Sequence, residues 1–180
     1  MSQSAPEAGT PARARYEFRP LTAADLAMVR RWLKMPHVRA WWGDPDEQFA
    51  LVSGDLDVPA MEQFVVALNG RPFGYVQAFD LAAWPDPAFA DQPRGTRAID
   101  QFIGEADMLG KSHGAGFVRA FAGRLLAAGA PRVITDPDPA NVRAVRAYEK
   151  AGFNRVRLVD TLDGRALLML RDNPEPAIAP

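Results

Sequence analysis

The sequence predicts an α/β domain: a mixed, mostly antiparallel sheet of about six or seven strands flanked by helices. Two β-rich runs, Glu62 to Leu68 and Arg71 to Phe79, flank Asn69-Gly70, the dipeptide that a type I′ hairpin turn prefers. Further along, residues 96–160 read strand, helix, strand, helix, strand, a passage that brings a parallel pair near the middle of the sheet. The chain of 180 residues is 48% hydrophobic, the size and composition of one domain with a full core.

In chain order, residues 1–15 are rich in Ala, Pro, Gly and Arg without periodicity and read as a disordered tail. The folded domain spans 16–172. Tyr16 to Pro20 alternates as a strand. LTAADLAMVRRWLK follows as a helix, with Thr22 as N-cap, Asp25 suited to the positive end of the dipole, and Leu26, Val29, Trp32 and Leu33 as the apolar stripe. Pro36 breaks it, and a polar, turn-rich stretch holding a short helix or loop is expected from there to about Pro59. After the hairpin, AAWPDPAFADQPRG carries three prolines and is an excursion out of the sheet before the strand Thr96 to Ile103. A helix is expected from His113 to Ala128, with rows Phe117, Phe121, Leu125 and Val118, Ala122, Leu126 facing inward; Gly129 and Pro131 end it. Arg132 to Thr135 reads as a short strand and Pro139 to Ala151 as a helix. Phe153 to Asp160 and Ala166 to Arg171 read as the last two strands, turning at Asp163-Gly164, with residues 173–180 a flexible tail.

The charges nearly balance, 21 basic against 22 acidic, so no global field draws the chain to nucleic acid or to an anionic membrane. There is no apolar run of about 18 residues and no signal-peptide core at the N-terminus, which reads as a cytoplasmic protein. Zero cysteines exclude a disulfide framework, a thiolate metal site and a cysteine acyl-enzyme. The two histidines, His37 and His113, belong to no HExxH or HxxxD pattern, so no metal site is expected.

TDPDPANVRAVRAYEKAGF, Thr135 to Phe153, carries the strongest chemical signal. At about 100° per residue, seven positions return almost to the starting direction, so Asn141 and Tyr148 share a helix face with Val145 between them. A helix that only packs on a sheet favours aliphatic residues there; the other reading is an amphipathic helix with a half-buried Tyr. A second signal is LGKSHGAGF, Leu109 to Phe117, a Gly-rich turn between strand and helix. Its free N–H groups and helix dipole suit a pyrophosphate, and Lys111 adds charge. An ordinary βα connection has the same appearance. The two motifs in this order resemble the Gcn5-related N-acetyltransferase (GNAT) superfamily over nearly the whole folded region. The resemblance implies that Asn141 contacts the pantetheine arm of acetyl-CoA, that Tyr148 protonates the departing thiolate, and that residues 110–115 (Gly110, Lys111, Ser112, His113, Gly114 and Ala115) hold the pyrophosphate. It also implies that backbone donors near Ile103 stabilise the oxyanion and that transfer is direct. Against the superfamily loop Q/R-x-x-G-x-G/A, Leu109 stands at the first position and Ser112 at the first glycine, while Gly114 keeps the second. Ser112 then has to accept the glycine's dihedral, at a cost of about 1 kcal/mol if φ is positive.

HVRAWWGD, GYVQAF and RAIDQFIG, with the Thr135 to Phe153 segment, resemble the aminoglycoside 6′-N-acetyltransferases, a branch similar also to siderophore and lysine N-acyltransferases. The partner implied is a small-molecule amine, acted on by a monomer or homodimer. An alkylamine is mostly protonated at neutral pH and attacks a thioester only when neutral, so a carboxylate has to take its proton. Asp100 interrupts the apolar run AIDQFI and is the general base the resemblance implies; pairing with a nearby Arg is the structural alternative. Asp136, at the carboxyl end of its strand, is implied to contact the acceptor amine, or else caps the turn into the next helix. Of Trp41 and Trp42, one is expected in the core and one stacking in the pocket. Of Asp80 and Asp86, one is expected to add negative potential. Other acceptors, such as a siderophore amine, a polyamine or a peptide N-terminus, and a CoA-binding sensor without turnover stay open at this level.

Overall fold

The computed structural model describes residues 15–174, so most of both expected tails lies outside the described residues. Seven strands are present: β1 (Tyr16–Pro20), β2 (Met61–Leu68), β3 (Arg71–Asp80), β4 (Arg97–Ile103), β5 (Arg132–Thr135), β6 (Asn154–Thr161) and β7 (Gly164–Asp172). They form one sheet in the order β1-β2-β3-β4-β5-β7-β6. Every neighbouring pair is antiparallel except β4 with β5. The β2–β3 turn places Asn69 at φ 51° and Gly70 at φ 75°, the two positive φ values of a type I′ turn.

Helix α1 (Leu26–Leu33) follows a short 3-10 turn. There the Asp25 carboxylate accepts from the Thr22 N–H at 3.0 Å and is held by Arg19. The stretch expected as turns with one short helix or loop contains two further helices, α2 (Pro36–Trp42) and α3 (Pro45–Gly54). The physical reason is proline's position: Pro36 and Pro45 each occupy the first helical turn, where the missing N–H is no loss and the fixed φ is already helical. Asp44 caps α3, its carboxylate accepting from the Asp46 and Glu47 N–H groups. Helix α4 (His113–Ala127) buries both of its inward rows, and α5 (Val142–Lys150) starts three residues later than expected. At the C-terminal end, Asn173 is tied down rather than free, its amide donating to Leu126 O and Ala130 O beyond α4.

Helices α4 and α5 cover one face of the sheet, packing Phe117, Phe121, Val145 and Tyr148 on Val66, Phe73, Val76 and Ile99. The opposite face carries two separate clusters. Trp32, Val38 and Val52 of α1 to α3 pack on Tyr75 and Phe102, while the 81–95 excursion lays Ala88 and Phe89 near Ala98, Ile134 and Leu168. Along β3, Tyr75 belongs to the first cluster and Phe79 to the second; along β4, Phe102 and Ala98 divide the same way. The residues between them, Gln77 and Asp100, are paired in register. Two polar side chains therefore occupy the gap between two apolar clusters, where the sheet face is open.

Candidate active site

Strands β4 and β5 are paired only at Arg97↔Val133 and Ala98↔Ile134. Strand β5 is four residues long and runs into Asp136-Pro137, where proline has no N–H to continue a ladder. Beyond that point β4 has no strand on its β5 side. Gly104 donates its N–H to Phe73 O at 2.8 Å. Antiparallel alternation then leaves the N–H and C=O of Gln101 and Ile103 pointing away from β3, into the wedge. The Ile103 carbonyl accepts from His37 Nε2 at 2.9 Å, and its N–H remains as a donor.

The wedge opens into a cleft of about 1380 Å³. Of the residues expected at the site, Trp41, Trp42, Asp86, Asp100, Ile103, Gly110, Ser112, His113, Gly114, Ala115, Asp136, Asn141 and Tyr148 all line it. Lys111 is exposed and Asp80 turns away; neither lines the cleft. The Asp80 carboxylate is used locally, accepting the Ala82 N–H as the chain leaves β3. Trp42 packs edge-on to Phe102 at 4.9 Å between ring centres, while Trp41 is 43% exposed at the rim. His37, Gln77, Trp84 and Asp163 also line the cleft and were not expected there. The signal for Gln77 was present, a polar residue breaking the apolar alternation of YVQAF, but nothing in sequence shows that it faces Asp100.

At the loop end, Ser112 has φ 62° and Gly110 φ 73°, so Ser112 does adopt the left-handed conformation. The N–H groups of His113, Gly114 and Ala115 have no acceptor among the described residues. These are the unsatisfied donors of a helix start. Gly116, the last glycine of the Leu109 to Phe117 turn, makes room for a side chain. A Cβ there would lie 2.3 Å from the Tyr16 hydroxyl, which in turn is 3.1 Å from His113 Nδ1. Asn141 is the N-cap of α5 rather than a member of its face. Its Oδ1 accepts the Ala144 N–H at 3.1 Å, which turns the amide NH₂ outward from the helix start.

Tyr148 is 4% exposed. Burial pushes its phenol above the usual tyrosine range, partly opposed by the Thr135 and Gln101 side chains beside it, and the negative charges of Asp100 and Asp136 push it further up. Across the sheet, Asp86, Asp100, Asp136 and Asp163 converge on the other end of the cleft. None has an ion-pair partner among the described residues, so the Arg pairing considered for Asp100 is absent. The turn into α5 is capped by Asp138, which accepts the Ala140 N–H at 2.7 Å; Asp136 is left facing the cleft. Desolvation and the repulsion of Asp100, Asp163 and Asp86 raise Asp136 to about 8. Asp100 is raised mainly by desolvation and then by Asp163, and is held down by the Gln77 hydrogen bond. An array of clustered, unpaired carboxylates is short of cations, and its arrangement suits a ligand that brings several.

Comparison with known proteins agrees with this layout. The acetyltransferase (GNAT) domain family matches residues 22–161. The chain is 36% identical over 165 residues to the aminoglycoside N(6′)-acetyltransferase type 1 of Klebsiella pneumoniae, covering 86% of this chain and 81% of that protein. The crystal structure of AAC(6′)-Ib with coenzyme A and kanamycin superposes with a TM-score of 0.79 at 34% identity, covering 88% of this chain and 95% of that one. A structure of AAC(6′)-Ib with acetyl-CoA gives the same TM-score, covering 87% and 93%. Among the described residues no group of His, Cys, Asp or Glu is arranged to hold a metal ion, and no helix is long and apolar enough to cross a membrane. The splayed strands, the helix-start donors and the matches over most of its length place the chain in the GNAT acetyltransferase family, to which it belongs.

Proposed function

We propose that this protein transfers the acetyl group of acetyl-CoA directly to a primary amine, and that the amine is the 6′-amine of an aminoglycoside. The observation that carries the acceptor assignment is the convergence of four unpaired carboxylates, Asp86, Asp100, Asp136 and Asp163, on one end of the cleft. A singly charged amine needs one counter-charge; a polycationic sugar makes use of all four. The similarity to aminoglycoside N(6′)-acetyltransferases supports the same choice. Since the acetyl donor is a cytoplasmic metabolite, the reaction belongs in the cytoplasm.

In this reading the pantetheine arm adds to the free edge of β4 as a strand would, with the Gln101 backbone groups and the Asn141 NH₂ as its partners, while the Ile103 carbonyl stays with His37 and the Ile103 N–H is left for the thioester. The donors of residues 113–115 take the pyrophosphate. Asp100 removes a proton from the ammonium, and the neutral amine attacks the thioester carbonyl, whose oxygen gathers charge against the Ile103 N–H. As the C–S bond breaks, Tyr148 gives its proton to sulfur and the attacking nitrogen loses its second proton to the Tyr148 oxygen, which restores the phenol. A phenol raised by burial is a weaker acid than a thiol, so the first transfer alone runs uphill. Coupled to loss of the strongly acidic proton on the attacking nitrogen, the exchange runs downhill. One proton, the one held by Asp100, returns to solvent per turnover.

Free-thiol release from acetyl-CoA, measured against aminoglycosides with and without a 6′-amine alongside lysine, polyamines and short peptides, tests the assignment. Turnover confined to drugs bearing the 6′-amine is expected. Turnover only with the other amines would keep the acyl transfer and discard the aminoglycoside.

A further inference from the structure

We propose that Gln77 is a positioning residue for Asp100 whose side-chain amide reverses when Asp100 gains or loses its proton, and that the reversal is enforced by a hydrogen-bond chain ending on α3. The proposal rests on Asp100 being the base of the reaction. Four contacts make the chain: Asp100 Oδ2 to Gln77 Nε2 at 2.9 Å, Gln77 Oε1 to the Tyr75 hydroxyl at 2.7 Å, that hydroxyl to Gln63 Oε1 at 3.0 Å, and Gln63 Nε2 to Val52 O at 3.1 Å. The far end is fixed, because a carbonyl only accepts: Gln63 has to present its NH₂ to Val52 and its oxygen to Tyr75. With Asp100 ionised, the near end is fixed in the same sense, NH₂ toward the carboxylate and oxygen toward Tyr75. Two amide oxygens then face one hydroxyl that owns one hydrogen. One of them goes without: Gln63, 7% exposed beside the fully buried Tyr75, is out of reach of water, while Gln77 is half-buried at the cleft wall, so the loss falls on Gln77 Oε1, where water replaces it only from the cleft side.

One proton on Asp100 removes the conflict. The carboxyl O–H donates to Gln77 Oε1, the reversed Gln77 NH₂ donates to the Tyr75 oxygen, the Tyr75 O–H donates to Gln63 Oε1, and Gln63 donates to Val52 O. Every acceptor in the chain then has a donor. The conflict therefore takes back part of what the Gln77 hydrogen bond gives the ionised carboxylate, and it holds the proton that Asp100 takes from the acceptor, directing it at Gln77 rather than back at the amine. The groups that face this system are the carboxylates of Asp163, Asp136 and Asp86, Asp55 beside Tyr75, and the Tyr148 phenol, with His37 on α2 lining the same cleft. All of them stay in place in the variants below.

The acid limb of the pH profile of kcat/KM reads the proposal. Gln63→Met takes away the competing oxygen two side chains from Asp100, and Tyr75→Phe takes away the hydroxyl over which the oxygens compete. Each is expected to move the acid limb down by about one pH unit, the worth of one neutral hydrogen bond. A static Gln77 gives a different result: Gln63→Met leaves the limb where it is, and Tyr75→Phe leaves it or raises it by weakening the donor to the carboxylate. Either of those outcomes overturns the proposal, and the second variant serves if the first does not fold. Asp100→Asn separates the two levels: undiminished turnover there would remove the base assignment itself, whatever the limb does in the other variants.

Discussion

Tyr148 and Asp136 owe their altered acidities to the same cause, burial without a cation, but the consequences differ. A phenol raised above its usual range is fully protonated at neutral pH, as the proposed donation to sulfur requires. Tyr148→Phe is expected to lower turnover by about 10² to 10⁴ with little change in acetyl-CoA affinity, checked by steady-state kinetics beside equilibrium binding. For Asp136 the direction matters for stability. A carboxyl near 8 in the folded chain and about 3.9 in the unfolded one binds more protons when folded, so its stabilising contribution is full below about pH 4 and is lost as pH rises toward 8. The native chain is expected to lose melting temperature between about pH 5.5 and 8, and Asp136→Asn to flatten that fall, read by thermal denaturation without ligand. A polycationic acceptor favours the ionised form, so its binding at neutral pH is expected to release protons; calorimetry in two buffers of different ionisation enthalpy measures this, and the release should shrink in Asp136→Asn.

Elements were legible wherever one local rule decided them. The hairpin at Asn69-Gly70, the inward rows of α4 and the Asp163-Gly164 turn needed only turn chemistry and periodicity. The reading of residues 36–59 as turns with one short helix or loop understates the two helices there, because proline breaks a helix only from its interior, whereas Met35-Pro36 and Asp44-Pro45 are starts, with proline in the first turn. Asp44→Ala is therefore expected to cost about 1 kcal/mol, measured by denaturant unfolding. The departure at Ser112 is readable in sequence as a question about a dihedral, and the left-handed φ answers it. Ser112→Gly is expected to gain up to about 1 kcal/mol, the relief of strain less the extra chain entropy of glycine; a loss in the same experiment would mean that the serine side chain holds the loop.

At the scale of the whole molecule, the sequence carried the order of the elements and most of the cleft's residues but not their depth or pairing. The difference between Asp80 and Asp86 is one of direction after a strand ends. Asp163 reads as a turn residue in sequence, yet the β6–β7 hairpin leans over the cleft, its Leu162 N–H bonded to Asp86. The relation of Gln77 to Asp100 depends on the register between β3 and β4, which no single strand reveals. Both walls of the cleft, the splayed β4 edge proposed for the acetyl donor and the carboxylates proposed for the acceptor, come from non-local pairing. The most direct test of their joint purpose compares two aminoglycosides that differ only in a 6′-amine or a 6′-hydroxyl, following thiol release from acetyl-CoA and locating the acetyl group on the product by NMR. The account requires turnover with the amine alone and a product acetylated at N6′; equal turnover with the hydroxyl compound, or acetylation at another nitrogen, would contradict it.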